Sequence, residues 1–220
     1  NIVYGSTEAE PISSITVEQL LNRNDSLLND GLCVGCIFHK TSLRIIKITA
    51  EPIQCNSNQD FIDMQIKDGE IGEIIVAGDH VLKSYFNNEA AFVQNKIVIG
   101  KETWHRTGDS GYLGSDGQLF LTGRCSQVFK HQGRLIAPFL FENYFQTIQG
   151  ILMGTVLKIN DRLAAVLEVG KETDKNRIAN EIHQNVDFDM ETIFIESIPR
   201  DPRHNSKIDY ALLQKQVERD

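Results

Sequence analysis

The amino-acid sequence predicts an α+β fold in two parts, a small β-sheet or open barrel followed by a compact α+β domain. The first observation is a series of short runs rich in Ile, Val and Leu between residues 31 and 124, divided by Gly, Asp and Asn. The second is a change of pattern after Arg124, where an apolar helix precedes a β-hairpin, a polar helix and a strand. We therefore expect a domain boundary near 124–127, between residues 1–124 and 125–220.

In the first part, the pattern is regular enough to predict individual elements. Asp116-Gly117 predicts a tight hairpin turn, because this pair supplies the positive φ values that such turns need. Asn87 or Asn88 can cap one helix that continues through Ala90–Gln94. The predicted strands are Val34–Phe38, Leu43–Ile48, Ile71–Ala77 and Gln118–Thr122.

In the second part, Pro138 suits the first turn of a helix. Its predicted apolar face consists of Phe139, Phe141, Tyr144, Phe145 and Ile148. The elements predicted after it are a hairpin of Ile151–Ile159 and Leu163–Val169, a polar helix near Asp174–Asn185 and a strand at Thr192–Ile195.

Composition and charge argue against several classes of protein. A net charge of −8 does not suit a general nucleic-acid binder, since phosphate backbones are held by clustered Lys and Arg. No apolar run approaches the roughly 18 residues of a membrane span and no signal peptide opens the chain, so we expect a cytoplasmic protein. The CxxC at Cys33–Cys36 lacks the second ligand pair of a zinc site, and its thiols are expected to be small core residues.

Four polar motifs carry the functional prediction. The Tyr-Gly-Ser-Thr-Glu run at 4–8 ends in a carboxylate, the hard ligand that Mg²⁺ prefers together with substrate phosphates. Asp109 ends a Trp-His-Arg-Thr-Gly-Asp run, and a carboxylate on a glycine turn can accept hydrogen bonds from both ribose hydroxyls. Gly123-Arg124 adds a fixed charge, and Lys207 lies in a polar, Pro-broken run from 199 to 209. Each motif alone is also typical of a turn, a helix cap or a solvated tail.

In this order and spacing, the motifs resemble those of the adenylate-forming enzymes, which include acyl-CoA synthetases, peptide-synthetase adenylation domains and luciferases. These enzymes join a carboxylic acid to AMP and release pyrophosphate. The resemblance implies an ATP-dependent ligase that activates a carboxylic acid, expected to be a fatty acid, and transfers it to CoA or another acceptor. ATP, Mg²⁺ and CoA are the implied cofactors. Residues 1–124 would be the end of the large AMP-binding domain, including its β subdomain, and residues 125–220 the C-terminal lid.

The resemblance also implies a role for each site residue in the first part. Tyr4 would pack on the adenine, and Thr7 would touch the α-phosphate. Glu8 would hold Mg²⁺. Asp109 would bind the ribose hydroxyls, with Arg124 near the ribose or a phosphate.

In the second part, Lys207 would be the catalytic lysine that bridges the α-phosphate and the substrate carboxylate. Lys130 begins the expected Lys-x-x-Gly loop and would belong to the nucleotide-binding residues. The sequence departs from the family pattern at the hinge, where Ser126 replaces Asp or Lys, and at Leu135, where an arginine is usual. These departures concern the thioester-forming conformation and not the adenylation step.

The sequence leaves three interpretations open, which are an acyl-CoA ligase, a β-lactone synthetase and a non-catalytic binding module. Runs at 31–35, 69–74, 104–109 and 203–207 are similar to the olefin-pathway β-lactone synthetases, which act on a β-hydroxy acid without CoA. Family members carry a phosphate loop before the first motif, and this chain has none, so we expect the C-terminal portion of a longer enzyme, inactive by itself. If Asn1 is the true start, the alternative is a non-catalytic binding module.

Overall fold

The computed structural model describes residues 1–23, 25–26, 28–202 and 207–218. The chain divides after Val128 into two compact units. The predicted α+β class is confirmed, because the described residues form six α-helices and sheets of eight, two and three strands, none of them a closed barrel.

The first unit is built on an open sheet of eight strands. They are β1 (Ile2–Ser6), β2 (Ala9–Ile15), β3 (Leu32–Ile37), β4 (Ser42–Ile46), β5 (Gly72–Ala77), β6 (Lys96–Ile99), β7 (Glu102–Leu113) and β8 (Gln118–Arg124). Their spatial order is β1-β2-β3-β8-β7-β5-β4, with β6 paired to β7, and all these pairs are antiparallel. The connections contain α1 (Val17–Leu21), α2 (Asn58–Met64) and α3 (Glu89–Asn95).

The core of this unit covers both faces of strand β5, because all six of its residues are buried. Ile74 packs on one face in a cluster with Leu43 and Leu119. Ile75 packs on the other face in a cluster with Trp104. This alternation is the period of two that a strand imposes on its side chains.

Local signals account for several element boundaries. The Asn88 side chain accepts the N–H of Ala91 and caps α3, as predicted. The predicted turn is also present, and Gly114 donates its N–H to the carbonyl of Gln118 where β7 passes into β8. Strands β1 and β2 carry no strand signal in their residues, which include Pro, Ser and Glu.

The second unit contains every element predicted for it. Its helices are α4 (Pro138–Phe145), α5 (Lys175–Asn185) and α6 (Tyr210–Val217), and its strands are β9 (Phe129–His131), β10 (Arg134–Ile136), β11 (Ile151–Ile159), β12 (Arg162–Val169) and β13 (Met190–Ile195). β11 and β12 form the predicted hairpin, and β13 pairs in parallel with β12. The predicted apolar face of α4 is partly wrong, because Leu140 is buried there and Tyr144 is only half-buried.

The CxxC pair also differs in part from its prediction. Cys33 is buried, and its thiol donates to the side-chain oxygen of Gln118 at 3.3 Å. Cys36 is exposed. Gly35 lies between them with φ 84 in a β-bulge, which shifts the register of β3 against β8. The prediction that both thiols are core residues is therefore wrong for Cys36.

One ion pair is buried in the first unit, between Arg106 on β7 and Glu73 on β5. Their side chains are 5% and 2% exposed, and Arg106 Nη2 lies 2.6 Å from Glu73 Oε2. The guanidinium also donates to the carbonyls of Thr49 at 2.6 Å and Glu51 at 2.9 Å. Arg106 thus joins two strands to the segment that follows β4, and its donors are used within the protein.

We predict that Glu73→Gln lowers the free energy of unfolding of this unit by about 3 kcal/mol, because a guanidinium left without its carboxylate in the interior is costly. Trp104 is the single tryptophan and is buried in the first unit, so its fluorescence during denaturant unfolding measures this change. Glu70→Gln is the matched control, since Glu70 is exposed three residues earlier. Equal stability of the two variants would contradict the prediction.

Candidate functional site

Asp109 lies on a bulge in the middle of β7. Glu73 pairs with Ser110 and Ile75 with Arg106, so residues 107–109 stand opposite a single residue of β5. Gly108 permits the bulge with φ 70. The Thr107 hydroxyl fastens it, donating to the carbonyl of Ile74 at 2.8 Å and accepting the N–H of Asp109 at 3.0 Å. The predicted glycine turn is therefore a β-bulge within a long strand, a device that re-aims a side chain.

The Asp109 carboxylate is held by two of the other predicted site residues. The Tyr4 hydroxyl donates to Oδ2 at 2.8 Å, and Arg124 Nη1 donates to Oδ1 at 2.6 Å. Arg124 lies directly opposite Asp109 in the β7–β8 ladder, whereas Tyr4 comes from β1, 105 residues away in sequence. The structure therefore brings Tyr4, Asp109 and Arg124 together in one cluster, which we call the Asp109 cluster.

The two groups that donate to Asp109 have raised pKa values. Burial and the Asp109 charge raise the pKa of Tyr4 above its usual range, so its hydroxyl keeps its proton and acts as a donor. The hydrogen bond to Asp109 raises the pKa of Arg124. The Arg124 side chain is 60% exposed and Asp109 is 19% exposed, so the cluster meets solvent on the Arg124 side.

Thr7 and Glu8 form the turn between β1 and β2. Thr7 is exposed and Glu8 is half-buried. The carbonyl of Glu8 accepts the N–H of Leu82 at 2.8 Å, and the carbonyl of Leu82 accepts the ammonium of Lys96. Lys96 also lies 5.2 Å from the ring centroid of Tyr85. A buried lysine thus supports the backbone next to Glu8, and nothing in the sequence signals this, because lysine is rarely buried.

His105 lies near this lysine and is 4% exposed, with an Nδ1 that has no hydrogen-bond partner. Burial and the neighbouring Lys96 charge lower the pKa of His105 to about 4. Burial also lowers the pKa of Lys96 to about 8, against the opposing effect of the Glu8 carboxylate. At neutral pH His105 is therefore a neutral ring.

A cavity of about 400 Å³ opens beside the Asp109 cluster. Its lining includes Thr107, Gly108, Arg124, Cys125 and Ser126, but neither Asp109 nor the turn at 7–8. Burial raises the pKa of the Cys125 thiol to about 12, so this group is not a thiolate nucleophile at neutral pH. We weigh the Asp109 cluster above this cavity as the candidate site, because only the cluster joins several of the residues expected to bind a nucleotide.

Lys130 and Lys207 lie in the second unit. Lys130 is exposed on β9, and the turn after it places Gln132 and Gly133 at φ 48 and 80. Lys207 is exposed, and its carbonyl accepts the N–H of Asp201 at 2.8 Å. In the described part of this run, an isolated β-bridge joins residues 200 and 208 outside any strand. Residues 203–206 of the motif lie outside the described residues.

No group of three or more His, Cys, Asp or Glu side chains within the described ranges could hold a metal ion by itself. In the same part of the chain, no helix is long and apolar enough to cross a membrane.

Comparison with known proteins finds relatives among the CoA ligases. No family model matches the chain. YdaB of Bacillus subtilis (strain 168), which carries the name of an acyl-CoA ligase, is 38% identical over 160 residues, covering 73% of this chain and 27% of its own. 4-Coumarate-CoA ligase 1 of Narcissus pseudonarcissus is 28% identical over 209 residues, covering 90% of this chain and 35% of its own. The chain thus spans about a third of the length of these two relatives.

A solved structure shows the same fold. The chain superposes on the O-succinylbenzoate coenzyme A synthetase MenE from Bacillus subtilis with a TM-score of 0.71 and 22% sequence identity, covering 98% of this chain and 40% of MenE. The matched relatives are members of the adenylate-forming, AMP-binding superfamily, and the chain matches their C-terminal portion.

We predict that acid destabilises the first unit partly through His105. Unfolded histidine binds a proton near pH 6.5, but buried His105 binds it only near pH 4, so the unfolded state holds more protons in between. The free energy of unfolding therefore falls as the pH falls through this window, by at most about 1.4 kcal/mol per pH unit. The charges that act on His105 are those of Lys96, Glu8 and Asp109.

His105→Gln should reduce this acid sensitivity, measured by Trp104 fluorescence in denaturant titrations at pH 7, 6 and 5. His39→Gln, at an exposed position in the same unit, should leave it unchanged. The same pH dependence in His105→Gln and wild type would refute the prediction.

Proposed function

We propose that the protein containing this chain uses ATP to activate a carboxylic acid, of the fatty-acid class, as an acyl-adenylate. The acyl group is then transferred to CoA or another acceptor. The observation that carries the proposal is the Asp109 cluster, in which a carboxylate on a bulge is held by Tyr4 and Arg124. The proposal is also supported by the similarity of this chain to acyl- and aryl-CoA ligases.

The cluster suits the anchoring of a nucleotide. A carboxylate has about four acceptor sites, and the two hydrogen bonds from Tyr4 and Arg124 leave acceptors on Asp109 for the ribose hydroxyls. Arg124 uses one of its five N–H donors on Asp109 and is mostly exposed, so it can donate to the ribose or to a phosphate. In this proposal the Tyr4 ring contacts the adenine and Thr7 contacts the α-phosphate.

Glu8 fits the role of a single protein ligand for Mg²⁺. Mg²⁺ is commonly held by one or two carboxylates together with substrate phosphates and waters, so one half-buried carboxylate is a sufficient donor set. The bound ion would offset negative charge on the ATP phosphates. Lys96 holds the backbone of Leu82, which in turn bonds the Glu8 carbonyl, so the protein itself fixes the turn from which Glu8 projects.

Lys207 is the proposed catalytic residue, and Lys130 is a proposed nucleotide-binding residue of the second unit. A lysine ammonium placed on the α-phosphate would stabilise the charge that develops there as the substrate carboxylate attacks. A preorganised donor of this kind contributes about 3 kcal/mol to lowering a barrier. Both side chains are exposed and therefore available to a ligand.

We propose that turnover also requires protein outside these 220 residues, because the chain spans only about a third of its curated relatives. A phosphate loop and most of an acyl pocket would belong to that remainder. The 220 residues by themselves would then form a nucleotide anchor and a catalytic lysine without turnover.

A second candidate is a β-lactone synthetase that acts on a β-hydroxy acid without CoA. The observation that favours it is the β9–β10 hairpin, where Leu135 occupies the position of the usual arginine and is 37% exposed. The preceding Arg134 lies over the Phe188 ring at 4.3 Å, so it does not simply replace that arginine one place earlier.

The test is acid-dependent pyrophosphate release by the longest native form of the protein, with fatty and β-hydroxy acids, with and without CoA. We predict that Lys207→Ala lowers the rate about 100-fold or more, the scale for loss of one charge-stabilising donor. Lys215→Ala, at an exposed lysine of α6, is the control and should retain the wild-type rate.

A requirement for CoA in turnover would select the CoA ligase, and turnover of β-hydroxy acids without CoA would select the lactone-forming enzyme. No release with any acid would contradict both and leave a non-catalytic binding module. An unchanged rate in Lys207→Ala would contradict the assigned role of Lys207.

A further inference from the structure

The backbone of Lys207 is held in a short antiparallel pairing. Asp201 donates its N–H to the carbonyl of Lys207 at 2.8 Å, and Asp209 donates its N–H to the carbonyl of Pro199 at 2.9 Å. A β-bridge joins Arg200 and Ile208 between them. We call the two legs, residues 199–201 and 207–209, the lysine ladder.

The first leg is fastened to β12 through Glu168. The Glu168 carboxylate accepts the N–H of Ile198 at 2.9 Å and a hydrogen bond from the Arg200 guanidinium at 3.4 Å. Ile198 is 1% exposed and packs in the apolar cluster of this unit. The entry to the ladder is therefore fixed by both polar and apolar contacts.

The second leg, which carries Lys207, continues directly into α6. Asp209 caps that helix by accepting the N–H of Leu212 at 3.0 Å. Tyr210 is its first residue, and its hydroxyl donates to Oε1 of Glu142 on α4. Thr155 on β11 completes the group, because its hydroxyl lies 2.8 Å from both Glu142 Oε1 and the Tyr210 oxygen. We call these three residues the Tyr210 cluster.

Apolar packing alone does not explain this cluster. Leu213 and Val217 already anchor α6 in the apolar cluster of the unit, so the helix would be held without any polar contact. Burying three polar groups is costly unless each finds a partner, and here every one does. Burial raises the pKa of both Glu142 and Tyr210, so the hydroxyl remains a donor.

Hydrogen bonds have directions that apolar contacts lack, and the Tyr210 cluster therefore fixes the rotation and axial position of the first turn of α6. That turn begins three residues after Lys207. We propose that Tyr210, with Glu142 and Thr155, is the positioning residue for Lys207, because it ties the leg that carries the lysine to α4 and β11. This inference rests on the proposed adenylation role of Lys207.

The structural step is tested by amide hydrogen exchange on the 220-residue chain, resolved by NMR. In Tyr210→Phe, the amides of Asp201 and Asp209 should exchange roughly fivefold or more faster than in wild type, since local opening becomes easier. The amide of Val186, which caps the end of α5, should be unaffected. Unchanged exchange at Asp201 and Asp209 would overturn the proposal.

Tyr144→Phe is the matched control for this experiment. It removes a tyrosine hydroxyl from α4, the same helix as Glu142, but that hydroxyl takes no part in the cluster. It should leave the exchange of the ladder amides at the wild-type rate. Equal acceleration in Tyr144→Phe and Tyr210→Phe would show general loosening of the unit and would also overturn the proposal.

The functional step is tested by pyrophosphate release from the longest native form. Tyr210→Phe should lower kcat about tenfold with an unchanged KM for ATP. This is less than the roughly 100-fold loss caused by a displacement of about 1 Å in a reacting group, because the apolar contacts of α6 remain. Glu142→Gln keeps a side-chain carbonyl that accepts from Tyr210 and should therefore lower kcat less than Tyr210→Phe does. A lowered thermal midpoint with wild-type kcat would overturn the positioning role.

The two experiments separate failure of this inference from failure of the proposed function. If the wild-type protein releases no pyrophosphate with any acid, the proposed function fails, and the exchange rates still decide whether the Tyr210 cluster holds the ladder. If wild type is active and Tyr210→Phe matches it in both kcat and ladder exchange, the positioning role alone is refuted.

Discussion

The buried ion pair of Glu73 and Arg106 is the interaction on which the first unit most depends. It crosses from β5 to β7 immediately before the bulge at residues 107–109, and it also gathers the backbone carbonyls of the segment after β4. A buried pair is tolerable only when the remaining donors are satisfied, and the guanidinium achieves this through Thr49 and Glu51. Because the ion pair fixes β5 and β7 next to the bulge, the bulge presents Asp109 in one direction.

Residues close together on β7 build the candidate site. Arg106 points into the interior, Thr107 fastens the bulge, and Asp109 projects to meet Arg124 across the ladder. Tyr4 reaches the same carboxylate from β1. Structural residues and the candidate binding residue therefore lie close together within a single motif, and a substitution at Arg106 would disturb the position of Asp109 without changing Asp109 itself.

Much of this architecture could be predicted from the sequence. The hairpin of β11 and β12 and the helix capped by Asn88 follow from apolar periodicity and capping chemistry, which are local signals. Residue types and spacing alone predict the motif at Asp109. The bulge cannot be predicted in this way, because it depends on how β5 pairs with residues far away in sequence.

The rest could not be predicted because it depends on long-range contacts or on unusual burial. The contact of Tyr4 with Asp109 joins residues 105 positions apart. Lys96 is buried against a carbonyl and an aromatic ring, where composition alone predicts an exposed lysine. The Tyr210 cluster likewise joins one residue each from α4, β11 and α6, and its parts carry no motif in the sequence.

Asp109 is proposed to anchor a nucleotide, and calorimetric titration of AMP into the longest native form of the protein measures that anchoring. We expect Asp109→Asn to bind AMP at least about tenfold more weakly than wild type, because loss of one charged acceptor removes hydrogen bonds of about 1.5–3 kcal/mol. Asp79→Asn, at an exposed aspartate of the same unit, should bind as wild type does. Equal affinity in wild type and Asp109→Asn, or no binding in any form, would refute this role of Asp109.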